Sequence, residues 1–226
     1  MRFITAPICP FAHRVWLVLE HTATPYEVAE VSIAPGEKPA WFTAAYRAAL
    51  GADPSSDGKV PVLEDDDFSL TESAHVADYV AAKAAAEGRV SVLPASPAER
   101  AVTGLFSEQC VSPLLPPFYG LLRAQKDDEK EAAASKLRTA LAAVSSALAC
   151  RGGPFLLGAR ATLGDFLLWP FVERLCVLKH YRGFDAPPEL GAFSAWVVAM
   201  EALPAVQKTK KDPAFFVAGY AKYANP

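Results

Sequence analysis

An apolar stretch, Phe3-Ile4-Thr5-Ala6, runs into a turn marked by Pro7 and then into Phe11, Val15, Val18 and Leu19 at helical spacing. Cys9-Pro10 therefore sits where a strand hands over to a helix. That handover constrains the fold. The chain must return to the same sheet by a right-handed crossover, and Tyr26 to Ile33, which alternates in part, reads as the returning parallel strand. Pro10 suits the first helical turn, where no amide hydrogen is missed, and the unpaired N–H groups there carry about half a positive charge that favours an ionised sulfur. Such placement takes a cysteine pKa from about 8.5 to between roughly 3.5 and 7.5. His13 and Arg14, one turn in, either add to that field or face water. Ala12 stands where a second thiol would complete a dithiol pair, so the resolving thiol must come from elsewhere. The competing reading of Cys9 is a small buried hydrophobe.

Reading on, Lys38 to Leu50 is a short helix opened by Pro39, and Gly51 to Gly58 is a loop by composition. Val60-Pro61-Val62-Leu63-Glu64 is a third strand, Asp65-Asp66-Asp67 a solvated hairpin tip, and Phe68-Ser69-Leu70 a fourth strand. Thr71 is expected to cap a helix with Val76, Tyr79 and Val80 on one face. The order strand, helix, strand, helix, strand, strand, helix is thioredoxin-like. Pro61 is a candidate for the cis isomer, leaving the Val60 N–H and C=O free to pair with an extended peptide beside Cys9. Glu72 offers a carboxylate to an ammonium group, and Ser73 a hydroxyl and free N–H groups to a carboxylate. A zwitterionic amino-acid head joined to a thiol, as in glutathione, fits these parts. Ordinary helix-start chemistry is the alternative account of Glu72-Ser73.

From Glu87 to Pro97 the composition turns to Gly, Ser, Pro and Ala, which reads as a linker between a domain over residues 1–86 and an all-helical domain over residues 98–226. Helices are expected from Ala98 to Arg123 and from Lys126 to Cys150, the first bent or broken at Ser112-Pro113 and Pro116-Pro117. Phe118 and Tyr119, just past that break, are candidates to line a cleft facing Cys9, with core packing the other role for Phe118. Thr162 and Asp165 form a capping pair ahead of a buried helix, which Pro170 is expected to kink. A net charge of -3 with no basic stripe argues against nucleic acid. Cys9, Cys110, Cys150 and Cys176 are widely spaced without matching histidines, so neither a metal site nor a disulfide framework is expected. No apolar run is long enough to cross a bilayer, and a first strand starting almost at Met1 leaves no room for a targeting segment. A cytoplasmic protein, without membrane partners, is the expectation.

Taken in order, these motifs resemble a cytosolic glutathione transferase of the omega class over nearly the whole length. Cys9-Pro10-Phe11-Ala12 resembles the omega catalytic motif, Glu37-Lys38-Pro39-Ala40-Trp41-Phe42 the lysine-bearing segment, and Val60-Pro61-Val62-Leu63-Glu64 with Glu72-Ser73 the backbone clamp and γ-glutamyl site. The segment from Phe166 to Leu175 is similar to the omega version of the buried helix. The resemblance implies a thioredoxin-like α/β domain plus an all-α domain. Cys9 would form a mixed disulfide with glutathione as co-substrate, Phe11 would flank it, and Lys38 would meet the glycyl carboxylate. Arg174 and Phe216 would join Phe118 and Tyr119 around the second substrate, a small electrophile such as dehydroascorbate or a glutathionylated molecule, in what would be a homodimer; a buried arginine paired to a helix acid is an equally good account of Arg174. Two alternatives share the fold: a non-catalytic ligand carrier or scaffold, and a relative of the intracellular chloride-channel proteins, for which Arg14 and Glu20 make insertion of the first helix unattractive. The chain departs from the pattern in two places. Between Trp41 and Val60 it carries several extra residues, centred on the loop 51–58, and Pro213 stands where omega members carry a pocket tryptophan.

Overall fold

The computed structural model of the protein describes residues 1–34, 36–51 and 57–225, so most of the loop expected over Gly51 to Gly58 lies outside the described residues. The chain divides into two compact units, Met1–Leu93 and Pro94–Pro226.

In the first unit, β1 (Arg2–Thr5), α1 (Pro10–His21), β2 (Glu27–Glu30), α2 (Ala40–Leu50), β3 (Val62–Asp65), β4 (Phe68–Thr71) and α3 (Ser73–Ala86) follow in order. The sheet runs β2-β1-β3-β4. β1 and β2 are parallel, with Phe3 opposite Val28, while β1–β3 and β3–β4 are antiparallel, with Ile4 opposite Val62 and Leu63 opposite Leu70. Ile4, Val31, Phe42, Ala45, Tyr46 and Val62 form one buried cluster under α2, while α1 packs against α3. β2 is shorter than its alternation implies, because only four of its residues meet β1 in register.

Two expectations about this unit are corrected. The acidic run is not all hairpin tip: Asp65 belongs to β3 and is buried. Its Oδ2 accepts from the Tyr79 hydroxyl at 2.7 Å and from Lys83 Nζ at 2.9 Å. Burial pushes this carboxyl up, but the bonds from Tyr79 and Lys83 outweigh it and hold the group below its ordinary range. Nor does Thr71 cap α3. Glu72 takes that position, and the Thr71 hydroxyl instead donates to the Pro61 carbonyl at 3.0 Å.

In the second unit, α4 (Pro97–Phe106) passes through a π turn (Ser107–Val111) into α5 (Ser112–Arg123), followed by α6 (Asp127–Ala149), α7 (Leu163–Glu173), α8 (Leu175–Arg182), α9 (Gly191–Glu201), α10 (Pro204–Thr209) and α11 (Pro213–Ala224). Of the bend or break expected at the prolines, a break does not occur: Pro116 and Pro117 lie inside α5. Helix interiors reject proline because its ring meets the carbonyl four residues back. For Pro113 that residue is Gln109, which lies within the wider π turn. The helix is likewise continuous through Pro170. It ends one turn later at Arg174, whose Nη1 donates to the Pro170 carbonyl at 2.7 Å. The Asp165 carboxylate ties the start of α7 to its surroundings. Oδ1 accepts from Leu156 N at 3.0 Å and Trp196 Nε1 at 2.8 Å, and Oδ2 from Thr162 N at 2.8 Å and Thr162 Oγ1 at 3.1 Å. No helix among the described residues is long and apolar enough to cross a membrane.

Candidate functional site in the first unit

Cys9 is the N-cap of α1. Its backbone is extended (φ -76°, ψ 119°), its N–H donates to Ala6 O at 2.9 Å, and its carbonyl accepts from His13 N at 3.1 Å. With Pro10 in the first turn, the half-buried sulfur lies at the positive end of a helix of three turns. The thiol donates to the Val60 carbonyl at 3.9 Å. Val60 precedes the registered β1–β3 pairs, which begin at Val62, and the Val60–Pro61 peptide is cis. The Pro61 carbonyl is bonded to the Thr71 hydroxyl, and Thr71 leads directly into Glu72 and Ser73.

Glu72 is exposed and holds φ +69°, ψ 106°, a backbone region that a residue with a side chain enters only where the surroundings impose it. Its carbonyl accepts the first helical bond, from Val76 N at 3.0 Å. The first amides of α3 therefore open next to Pro61. Ser73 is buried, and its Oγ accepts from Arg14 Nη1 at 3.2 Å. Arg14 and His13 do not face water: both are buried, the Arg14 guanidinium 5.2 Å from the Phe11 ring centroid and His13 edge-on to Trp16. Turning α1 inward this way places a buried positive charge between its own first turns and the start of α3. Lys38 lies just before α2, with Nζ 2.8 Å from Asp57 Oδ1 and 2.5 Å from the Gly58 carbonyl.

The other sulfurs differ in surroundings. Burial pushes the Cys110 thiol up, and burial with the neighbouring Glu173 does the same for Cys176. Cys150 is exposed at the end of α6. No cluster of His, Cys, Asp or Glu among the described residues is arranged to hold a metal ion.

In the second unit, Phe118 is fully buried and meets Tyr119 edge-on with centroids 5.2 Å apart, and Tyr119 is half-buried beneath the Arg123 guanidinium. Arg174 is also fully buried, 3.5 Å from Glu173 Oε2 and with its guanidinium 4.3 Å from the Phe216 centroid. The structure thus pairs Arg174 with Phe216 and Phe118 with Tyr119. Pro213 occupies the first turn of α11, where Asp212 Oδ1 accepts from Ala214 N at 2.7 Å. The sequence reading missed two contacts of the first unit, Asp57 on Lys38 and Arg14 on Ser73. The first carried no signal beyond an acid in a loop. The second was detectable only as an arginine on the otherwise apolar side of α1.

Residues 8–83 match the model of the glutathione S-transferase N-terminal domain and residues 127–199 that of the glutathione S-transferase C-terminal domain. Together they span more than half of the chain, which belongs to the glutathione S-transferase family. The chain is 29% identical over 216 residues to glutathione S-transferase omega-1 of Sus scrofa, covering 94% of this chain and 81% of that one. It is 27% identical over 219 residues to the probable cytosolic glutathione S-transferase DHAR1 of Oryza sativa subsp. japonica, covering 96% and 91%. The crystal structure of glutathione transferase Omega 3C from Trametes versicolor superposes with a TM-score of 0.83 at 25% identity, covering 98% of this chain and 89% of that one. Within the family, the chain is omega-like.

Proposed function

We propose that this protein is a glutathione-dependent thiol transferase and reductase working through a covalent intermediate on Cys9. The carrying observation is the position of that sulfur, at the α1 N-terminus and 3.9 Å from the Val60 carbonyl. An extended thiol peptide pairing with the Val60 backbone lies alongside it. The γ-glutamyl end of glutathione goes to Glu72, Ser73 and the first amides of α3, Phe11 flanks the sulfur, and Lys38 stands at the glycyl end.

With a glutathionylated substrate, the Cys9 thiolate attacks the glutathione sulfur, the substrate leaves as a thiolate, and Cys9 carries the glutathionyl group. A second glutathione thiolate attacks the glutathionyl sulfur, giving oxidised glutathione and restoring Cys9. With an electrophilic carbonyl such as dehydroascorbate, Cys9 adds to the carbon. Glutathione then attacks the Cys9 sulfur, the reduced product departs with the bonding electron pair and a proton, and a second glutathione clears the mixed disulfide. Of the second-unit candidates, the half-buried Tyr119 is proposed to contact the second substrate, whereas Phe118, Arg174 and Phe216 are sealed in the interior and take packing roles; the protein is proposed to be a homodimer in the cytoplasm. Conjugation of electrophiles to glutathione is expected to be weak, since a cysteine here forms a disulfide with glutathione instead of activating it.

Cys9→Ser is the decisive variant. Wild type incubated with oxidised glutathione should gain one glutathionyl adduct, mapped to Cys9, and the variant should lose thioltransferase turnover. Retention of that turnover in the variant would refute the mechanism.

A further inference from the structure

Lys38, the residue set at the glycyl end of the thiol peptide, is already held by a carboxylate of its own chain. Its side chain is only 12% exposed, and its ammonium spends two of its three protons on Asp57 Oδ1 and the Gly58 carbonyl. The contact is anchored to α2. The Thr43 hydroxyl donates to the Asp57 carbonyl at 3.1 Å. Gly58, at φ +102°, lies so close to the helix that a Cβ there would stand 2.9 Å from Phe42 Cε1 and 3.0 Å from Tyr46 Cβ. The Asp57 carboxyl lies below its ordinary range, chiefly through its bond from Lys38, so it is ionised at neutral pH.

We infer that Asp57 is a specificity-determining residue. It stands on Lys38 where a glycyl carboxylate would bind, so the site takes γ-glutamylcysteinyl thiols with a neutral or missing glycine end nearly as well as glutathione. The inference rests on the reading of Lys38 given under Proposed function. A carboxylate arriving at Lys38 must displace Asp57 or lie against it, and two carboxylates on one ammonium repel. Where an ammonium is otherwise unpaired, a charge-assisted bond to a carboxylate is worth roughly tenfold or more in affinity. Here most of that gain is already taken within the chain.

The test measures binding of glutathione and of its glycine ethyl ester by calorimetry, on full-length Cys9→Ser protein so that no disulfide forms. Without further change, the two dissociation constants should agree within about threefold. Adding Asp57→Asn or Asp57→Ala should tighten glutathione about tenfold while leaving the ester unchanged. Adding Lys38→Met to the Asp57→Ala protein should abolish the new preference. Equal weakening of both ligands by the Asp57 variants, or an unchanged ratio, overturns the inference and makes Asp57 a support for Lys38. Failure of either ligand to bind the Cys9→Ser protein overturns the glutathione-site reading itself. A preference that survives Lys38→Met overturns the placement of the glycyl end.

Discussion

Truncating Asp165 tests whether the second unit is held at the start of α7 by one buried carboxylate. The group is 1% exposed and accepts from two backbone amides, an indole and a hydroxyl. In Asp165→Ala, the Thr162 hydroxyl can rotate to another acceptor, but Leu156 N, Thr162 N and Trp196 Nε1 are left buried without one. A buried donor stripped of its partner costs about 1–3 kcal/mol, and partial relaxation brings the sum to roughly 3–6 kcal/mol. For a chain of this size each kcal/mol moves Tm by about 2–4 °C, so thermal unfolding followed by circular dichroism should show a fall of about 6–24 °C. Asp165→Asn separates shape from chemistry. Its amide oxygen can serve one pair of donors, but its NH₂ then faces the N–H groups of the other pair, so a loss of about 2–4 kcal/mol is expected. An Asn variant as stable as wild type, or an Ala variant within about 1 kcal/mol of it, would refute the reasoning.

Two further perturbations address the first unit. Asp65 is held ionised by Tyr79 and Lys83, and its folded-state pKa is depressed, so its contribution is present above the unfolded carboxyl value of about 3.9 and fades as the pH falls through the folded value. Asp65→Asn should therefore cost about 1–2 kcal/mol at neutral pH and flatten the acid limb of the stability curve below pH 4, read from urea melts across a pH series; an unchanged limb counts against the assignment. Gly58→Ala combines positive φ with a Cβ driven into Phe42 and Tyr46, and should cost about 1–3 kcal/mol and loosen the Asp57–Lys38 pair. A melt indistinguishable from wild type counts against that packing.

Neighbours in the chain wrote much of this protein. The handover at Cys9-Pro10, the order of the first seven elements and the pairing of Thr162 with Asp165 all depend on side-chain period or on caps acting within a few residues, so they were readable before any folding. Periodicity does not say which polar groups meet across elements. Arg14 lies 59 residues from Ser73, and Lys38 lies 19 from Asp57. The Thr71 hydroxyl turned from its local helix to Pro61, ten residues back across the β3–β4 hairpin. Burial decided the Arg14–Ser73 and Thr71–Pro61 matches, because a buried polar group must find a partner among whatever the topology brings near it, whereas the more exposed Lys38–Asp57 pair follows from the chain returning past α2. The sequence by itself determined that the Cys9 sulfur stands at the start of α1, because that depends only on local period and capping, and the tertiary structure decided which charges surround the peptide it is proposed to receive.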